Sequence, residues 1–568
     1  MAISQPLKVV LCWHMHQPEY RDLHNGDYKQ PWVYLHTIKD YVDMAAHLEK
    51  HSNARAVVNF APVLLEQIDD YAQQISAYLN NTCALHDSLL KALVDPALPS
   101  NTAYQQFLIQ SCLRANNVRL IERFSAYKRL VDMSGWLIQH PDDITYLNNQ
   151  YIFDLLVWYH LAWLGETVRR DNTQVQFLIN KGGGFNLQDR CELLSIIGDL
   201  LKNIIGRYRA LADQQQIELS MTPYAHTIIP LLLQLASASE ALPNIHLPIL
   251  EHYPHGAERA RWHLQHGIQT FEHYFGFKPK GCWPSEGGLS TETIELLDEY
   301  GFQWTASGGN VLKQTLNNHN HPHSANDDNK VDYLYQSYQL NNMAIRCFFR
   351  DDALSDLIGF TYSDWHADDA VAHFISQLEE IAHHPNVTDE SIVSIILDGE
   401  NAWEYYPQNA FYSLETLYQR LGENPLLHLT TFQEGLFSHT TRIPNIIAGS
   451  WVYGTFSTWI GDEEKNRAWD ILGDVKRCFD RVVASGRLDQ QQLQKAEKQL
   501  AVCEGSDWFW WFSDYNPSDT VSEFEQLYRL HIANLYQLLH HPPPSLFIRS
   551  LYTRWWSSTV GWCHAARK

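Results

Sequence analysis

The chain has 568 residues, enough for two or three average domains or for one α/β barrel with large appendages. Its 65 acidic residues against 42 basic ones give a formal charge of -23, which disfavours phosphate backbones and anionic lipid surfaces as partners. The 19 Trp and 29 Tyr suit a neutral ligand with C–H faces such as a pyranose, although most of these rings are expected to fill cores.

Nine scattered cysteines, an odd number with no Cys-x-x-Cys pair, argue for reduced thiols. The first eight residues carry neither a basic nor a long apolar segment, and no run of about 18 apolar residues occurs. These features predict a soluble, cytoplasmic protein that binds neither nucleic acid nor membrane.

Short β-rich runs alternate with helical patterns, which predicts a parallel sheet, and their number predicts a barrel. The first run, 9–12, leads into Trp13-His14-Met15-His16-Gln17-Pro18. If the strand persists, His14 and His16 face the same way, as metal ligands, sugar binders or structural histidines. The second run is 56–60, and about 150 residues follow before the third. Apolar spacing over 101–138 and 151–170 predicts amphipathic helices there, a helical insertion spanning about 61–210 over the barrel mouth.

The third run, 217–220, contains Glu218 among apolar neighbours, either a site residue or a structural glutamate paired with a helix N-terminus or an arginine. The fourth, 281–283, ends in Trp283-Pro284-Ser285-Glu286-Gly287-Gly288, an aromatic and a carboxylate at a strand tip. After the fifth run, 303–306, the polar stretch 317–330 with His319, His321 and His323 reads as a solvated loop rather than a metal site. In the sixth run, 345–349, Arg350 beside Asp351 and Asp352 predicts a local ion pair. The seventh, 392–397, ends in Asp398-Gly399-Glu400-Asn401-Ala402-Trp403. Carboxylates on separate strands, such as Glu286 and Asp398, can flank one glycosidic bond. Beyond residue 435 the β pattern fades, and helical spacing over 489–502 and 521–539 predicts a C-terminal helical domain, 436–568, that contributes to the cleft.

Five segments, in order, resemble the sequence motifs of glycoside hydrolase family 57: His14-Met15-His16-Gln17-Pro18, the stretch from Glu218 to His226, Cys282-Trp283-Pro284-Ser285-Glu286-Gly287, Asp398-Gly399-Glu400-Asn401-Ala402-Trp403, and the stretch from Gly449 to Trp459. The resemblance implies an incomplete (β/α)7 barrel over residues 1–435 with a following helical domain, and retaining action on α-linked glucans such as glycogen, starch or maltodextrin. It is greatest to α-amylase and amylopullulanase-like members. It implies Glu286 as nucleophile and Asp398 as general acid/base, with His14, His16, Glu218, Trp283, Glu400, Trp403 and Trp451 at the sugar subsites and no metal or cofactor. An aspartate that some members place just before Trp451 has no counterpart here; Asp507 is the candidate for that role, with a structural Trp cluster as the alternative.

A retaining reaction needs one ionised and one protonated carboxyl. Glu400, two positions from Asp398, is expected to keep Asp398 protonated, while Glu286 with two small glycines behind it is expected to stay ionised and accessible. Hydrolysis of α-1,4 bonds, with α-1,6 cleavage as a further option, is the expected reaction. The alternatives are 4-α-glucanotransferase or branching activity, then a metal-dependent polysaccharide deacetylase or a non-catalytic glycan-binding protein.

Overall fold

A computed structural model describes residues 6–544 apart from 319–329 and the single positions 332, 342, 438 and 514. The three-histidine stretch therefore lies outside the described residues. Ten strands are present: β1 (Leu7–Met15), β2 (Ala56–Phe60), β3 (Ile217–Met221), β4 (Gly281–Cys282), β5 (Trp304–Gly308), β6 (Ser337–Leu340), β7 (Arg346–Arg350), β8 (Ile392–Asp398), β9 (Leu427–Thr430) and β10 (Thr440–Ile443).

Seven of them, β1 to β5 with β7 and β8, form a parallel barrel in the order β1-β2-β3-β4-β5-β7-β8. These are the seven runs visible in the sequence. The β1–β8 edge pairs continuously from Lys8 opposite Ile392 to His14 opposite Asp398, whereas β7 meets β8 through Arg350 opposite Ser394 alone. The barrel is thus tight on one side of β8 and nearly open on the other.

The other three strands are outboard. β9 runs beside the lower half of β1, from Leu7 opposite Leu427 to Val10 opposite Thr430, below the stretch from Cys12 to Met15 that pairs with β2. β6 lies antiparallel to β7, and β10 parallel to β6. Each outboard strand has four residues, too few for an alternation to declare itself in sequence.

Period-two alternation builds the barrel interior. Val10 and Cys12 of β1, Val57 of β2, Trp304 and Ala306 of β5, Phe348 of β7 and Ile392 and Ile396 of β8 form one buried cluster with Trp283 and Phe432. The intervening residues, such as Leu11, Trp13, Ile395 and Leu397, pack against the surrounding helices. Following the inward face one step further along each strand changes its character from apolar to polar: His14, Asn59, Arg350 and Asp398.

Between β2 and β3 the chain is helical, as expected. The helix Leu187–Asp213 packs along Pro62–Leu79, and the predicted stretch 101–138 is realised as Thr102–Ser111 and Ser125–Gln139 with a π turn between. The stretch 151–170 breaks at Gly165, where an added Cβ would lie 2.5 Å from the Asp43 carboxylate. That carboxylate caps the next helix, Glu166–Asp171, accepting from the backbone N–H groups of Glu166 at 2.7 Å and Thr167 at 2.9 Å. After β10 come the helices Glu463–Ala484, Gln490–Cys503, Asp507–Trp511 and Ser518–Leu538. Among the described residues no helix is long and apolar enough to cross a membrane, and the eight described cysteines are all free.

Candidate active site

The polar groups gather at the C-terminal ends of the barrel strands, where βα barrels hold their chemistry. Register sets the first layer, because His14 is level with Asn59 on one side and Asp398 on the other. His14 Nδ1 lies 2.7 Å from Asn59 Oδ1, and its Nε2 lies 3.0 Å from His226 Nε2. Residue 226 follows β3 and sits at φ +58, a left-handed conformation unusual outside glycine. Burial depresses both imidazoles, His14 to about 3 and His226 well below the ordinary value, so both are neutral.

Glu286 is presented by the turn after β4, also at a left-handed φ of +59. Gly287 follows at φ +60, where a Cβ would lie 2.9 Å from the Trp283 ring and 3.2 Å from Trp451 Cβ. Two successive left-handed residues form the tight bend that turns the carboxylate back into the mouth. Its Oε1 accepts from Ser506 Oγ at 2.9 Å and lies 3.7 Å from His226 Nδ1; its Oε2 accepts from Trp451 Nε1 at 3.3 Å. Burial foremost, then the nearby Asp507 and Asp398 charges, push this carboxyl up to about 8 against the opposing Ser506 and Trp451 hydrogen bonds. The expectation of an accessible, readily ionised Glu286 is thus corrected. Only 9% of the residue is exposed, because the C-terminal segments close over it.

Asp398, partly buried at the tip of β8, accepts from Asn401 Nδ2 at 3.0 Å. Burial raises it, with Asn401, His16 and Arg350 pulling the other way, and Glu400 is not among the causes. Glu400 is itself raised far more, by burial and then by Asp398 and Asp40. The two carboxyls are neighbours on one segment, and each disfavours the charge of the other. Glu400 Oε1 accepts from Gln17 Nε2 at 3.2 Å.

Two C-terminal segments complete the pocket. Trp451 packs edge-on to Trp283 with ring centres 5.3 Å apart, and the Arg350 guanidinium lies 5.6 Å from the Trp451 ring. Arg350 also pairs with Asp352 at 2.9 Å, the local ion pair expected there. Ser506 and Asp507 arrive at the start of the short helix Asp507–Trp511, and Asp507 Oδ1 lies 2.8 Å from His16 Nε2. Glu504, just upstream, anchors this segment. It accepts from Arg259 at 2.8 Å and Tyr253 at 2.6 Å and lies 2.9 Å from His263 Nε2. Burial would raise Glu504, but Arg259 and His263 overcome it and hold the carboxylate down at about 2.

His14, His16, Glu286, Asp398, Trp451 and Asp507 are thus brought together, with Trp283 and Glu400 beside them. Two sequence candidates are not. Glu218 sits near the opposite end of β3, accepting from Trp304 Nε1 at 2.6 Å and from the backbone N–H of Gln433 at 2.9 Å, in the first turn of the helix Phe432–Gly435. This is the structural pairing with a helix N-terminus. Trp403 is buried, donates to the Gly399 carbonyl at 2.9 Å, and packs against Trp13 and Tyr406 with ring centres 5.6 Å away in each case. No face of it is open to a sugar. Sequence reasoning missed Asn59, which sits inside an apolar run, and Ser506, whose only signal was its position before Asp507. It quoted His226 within a motif without giving it a role.

Ligating atoms of His16, His226 and Asp507 lie within 4.8 Å of one another. The His16 and His226 rings, however, stack at 3.6 Å with planes 12° apart. An ion about 2.1 Å from both nitrogens would stand well out of each ring plane, so the lone pairs do not converge on one centre. The arrangement is a hydrogen-bonding surface rather than a metal cage.

The chain spans about half the length of the curated relative it matches, a 1,4-alpha-glucan branching enzyme of Thermococcus kodakarensis, 22% identical over 377 residues covering 54% of this chain and 51% of the relative. The same fold occurs in a GH57-type branching enzyme from Pyrococcus horikoshii, at 16% identity and a TM-score of 0.55 over 94% of this chain and 89% of that one. It also occurs in the alpha-amylase AmyC from Thermotoga maritima, at 11% identity and a TM-score of 0.55 over 94% and 93%. Residues 10–444 match the model of Glycosyl hydrolase family 57, so the seven-stranded barrel and its mouth belong to a chain of that family.

Proposed function

We propose that this protein cleaves α-1,4-linked glucans with retention of configuration, Glu286 forming the glycosyl-enzyme and Asp398 acting as general acid and then base. The observation that supports this reading is geometric: Asp398 at the tip of β8 is level with His14, His14 Nε2 lies 3.0 Å from His226 Nε2, and His226 Nδ1 lies 3.7 Å from Glu286 Oε1, so the two carboxyls flank one pair of histidines. In this reaction the Glu286 carboxylate attacks the anomeric carbon as the glycosidic bond breaks, and the departing oxygen takes the Asp398 proton. The ionised Asp398 then removes a proton from the incoming hydroxyl, which displaces Glu286. Burial of both groups favours holding one shared proton, the state such a pair needs at the outset. The partly buried Trp451 offers the sugar an aromatic wall, and His16 and Asp507 offer hydrogen bonds to its hydroxyls. Free thiols fit a cytoplasmic setting.

Water resolving the glycosyl-enzyme gives hydrolysis, whereas a sugar hydroxyl gives transfer or branching. Hydrolysis is the primary reading; the branching enzymes among the relatives favour transfer as the second. Incubation with maltoheptaose, amylose and pullulan, followed over time, tests both. Shorter oligosaccharides alone support hydrolysis, longer ones show transfer, and new α-1,6 linkages in amylose show branching. No turnover of any α-glucan would overturn the proposal.

A further inference from the structure

The mouth contains a continuous hydrogen-bond chain that the two carboxyls alone do not require: Thr222, Asn59, His14, His226, Ser506, Glu286. Its links are 2.7, 2.7, 3.0, 2.8 and 2.9 Å. Both histidines are neutral, so each has one N–H and one bare nitrogen, and each uses both nitrogens within the chain. Every donor must then point the same way, and only two arrangements exist.

In the first, Asn59 donates to His14 Nδ1, His14 Nε2–H to His226 Nε2, His226 Nδ1–H to Ser506, and the Ser506 hydroxyl to Glu286 Oε1, a bond that is strongest when the carboxyl is ionised. In the second every proton is reversed, Ser506 donates to His226, and Glu286 must be protonated to donate to Ser506. The state of the nucleophile is therefore tied to the orientation of an amide on the far side of the barrel.

Thr222 decides between them. Its Oγ1 lies 2.7 Å from the Asn59 amide oxygen and 2.9 Å from the Trp283 carbonyl. A hydroxyl has one proton and Thr222 faces two oxygens, so a proton given to the Trp283 carbonyl, which only accepts, leaves Asn59 a lone pair. An Asn amide is oriented by its network, and here the network requires the nitrogen to face Thr222 and His14. Turning the amide over in this way puts its oxygen at the position of Nδ2, 3.0 Å from Ser220 Oγ, which has a proton to give.

The geometry points to Ser506 and His226 as positioning residues that bias Glu286 toward its ionised, attacking form, through a hydrogen-bond chain whose direction Thr222 sets. This rests on the reading of Glu286 as nucleophile. The chain works against the other groups facing Glu286, namely Asp507 and Asp398, whose charges favour the protonated form, while Trp451 assists it and His16 faces Asp507.

The test is the pH dependence of kcat/KM on a soluble maltooligosaccharide. Ser506→Ala is expected to move the acid limb up by about one pH unit, an approximately tenfold loss well below the limb. Ser506→Thr, which keeps the hydroxyl, should restore the parent limb, and Thr222→Val should shift it in the same direction by less. A folded Ser506→Ala enzyme with an unmoved limb overturns the inference. Neutron diffraction of the unmodified protein gives a readout that does not depend on turnover. Deuterium on His14 Nε2 and His226 Nδ1 supports the chain, and deuterium on His14 Nδ1 and His226 Nε2 overturns it. Labelling with 5-fluoro-α-glucosyl fluoride separates the two claims. A label away from Glu286 removes the nucleophile assignment, whereas a label on Glu286 with the reversed tautomers removes only the chain.

Discussion

Glu504 and Glu286 are both buried glutamates, one under the C-terminal segment and one in the mouth that segment covers, yet Glu504 is held at about 2 and Glu286 is pushed up to about 8. Both lose solvent. The difference lies in their partners, since Glu504 meets Arg259 whereas Glu286 meets Asp507, Asp398 and neutral donors. A buried charge that is neutralised by a cation holds structure in place, and one left without a cation is poised to take up or release a proton. The two regions are also joined physically. Glu504 fixes the segment on which Ser506 and Asp507 are carried into the site.

The sharpest way to break this comparison is Glu286→Gln. It should lower turnover by on the order of 10^4- to 10^6-fold while circular dichroism and thermal unfolding stay near the parent values. Substantial residual activity would remove Glu286 from the poised class. Asp398→Asn should come next, slowing natural glucans by about 10^2- to 10^4-fold but aryl glycosides with good leaving groups far less, since these need little protonation. Equal losses on both substrates would deny Asp398 the acid role.

On the structural side, Glu504→Ala should lose ~3–5 kcal/mol of stability in chemical denaturation, because it leaves the Arg259 charge buried without its partner. The sign of the pH effect follows from the lowered carboxylate. Its stabilisation is complete above the ordinary value of 4.5 and is lost as pH falls from there toward about 2. The variant should therefore be less sensitive to acid over that window than the parent. The smallest effect is expected from Glu400→Gln. Burial raises the Glu400 carboxyl, so its replacement by an amide of the same shape should leave the alkaline limb of the pH–rate profile within a few tenths of a unit. A clear downward shift of that limb would restore Glu400 as the group that keeps Asp398 protonated.

All seven barrel strands were legible because each is a contiguous run whose apolar face ends in polar or small residues. The three outboard strands were not, since four residues carry too little pattern. The positions of Glu286 and Asp398 at the mouth were legible because carboxylates stand at strand tips, and that of Asp507 because it opens an aromatic cluster that needed explanation. The positions of Glu218 and Trp403 were not. A residue two positions from a strand tip faces the same way as the tip whether it lines the mouth or the floor, and a tryptophan in a motif looks the same whether its faces are free or enclosed.

What the linear order of residues determined by itself was local: strand identity through alternation, the carboxylates at two tips, and membership of a family through five ordered motifs. What tertiary structure alone decided was long-range, because burial and proton direction depend on groups far apart in the chain. Ser506 meets Glu286 across 220 positions and His226 across 280, and no pattern along the chain records that meeting. Closure of the C-terminal segments over the barrel turned an exposed carboxylate into a buried one, and with that the sign of its pKa shift.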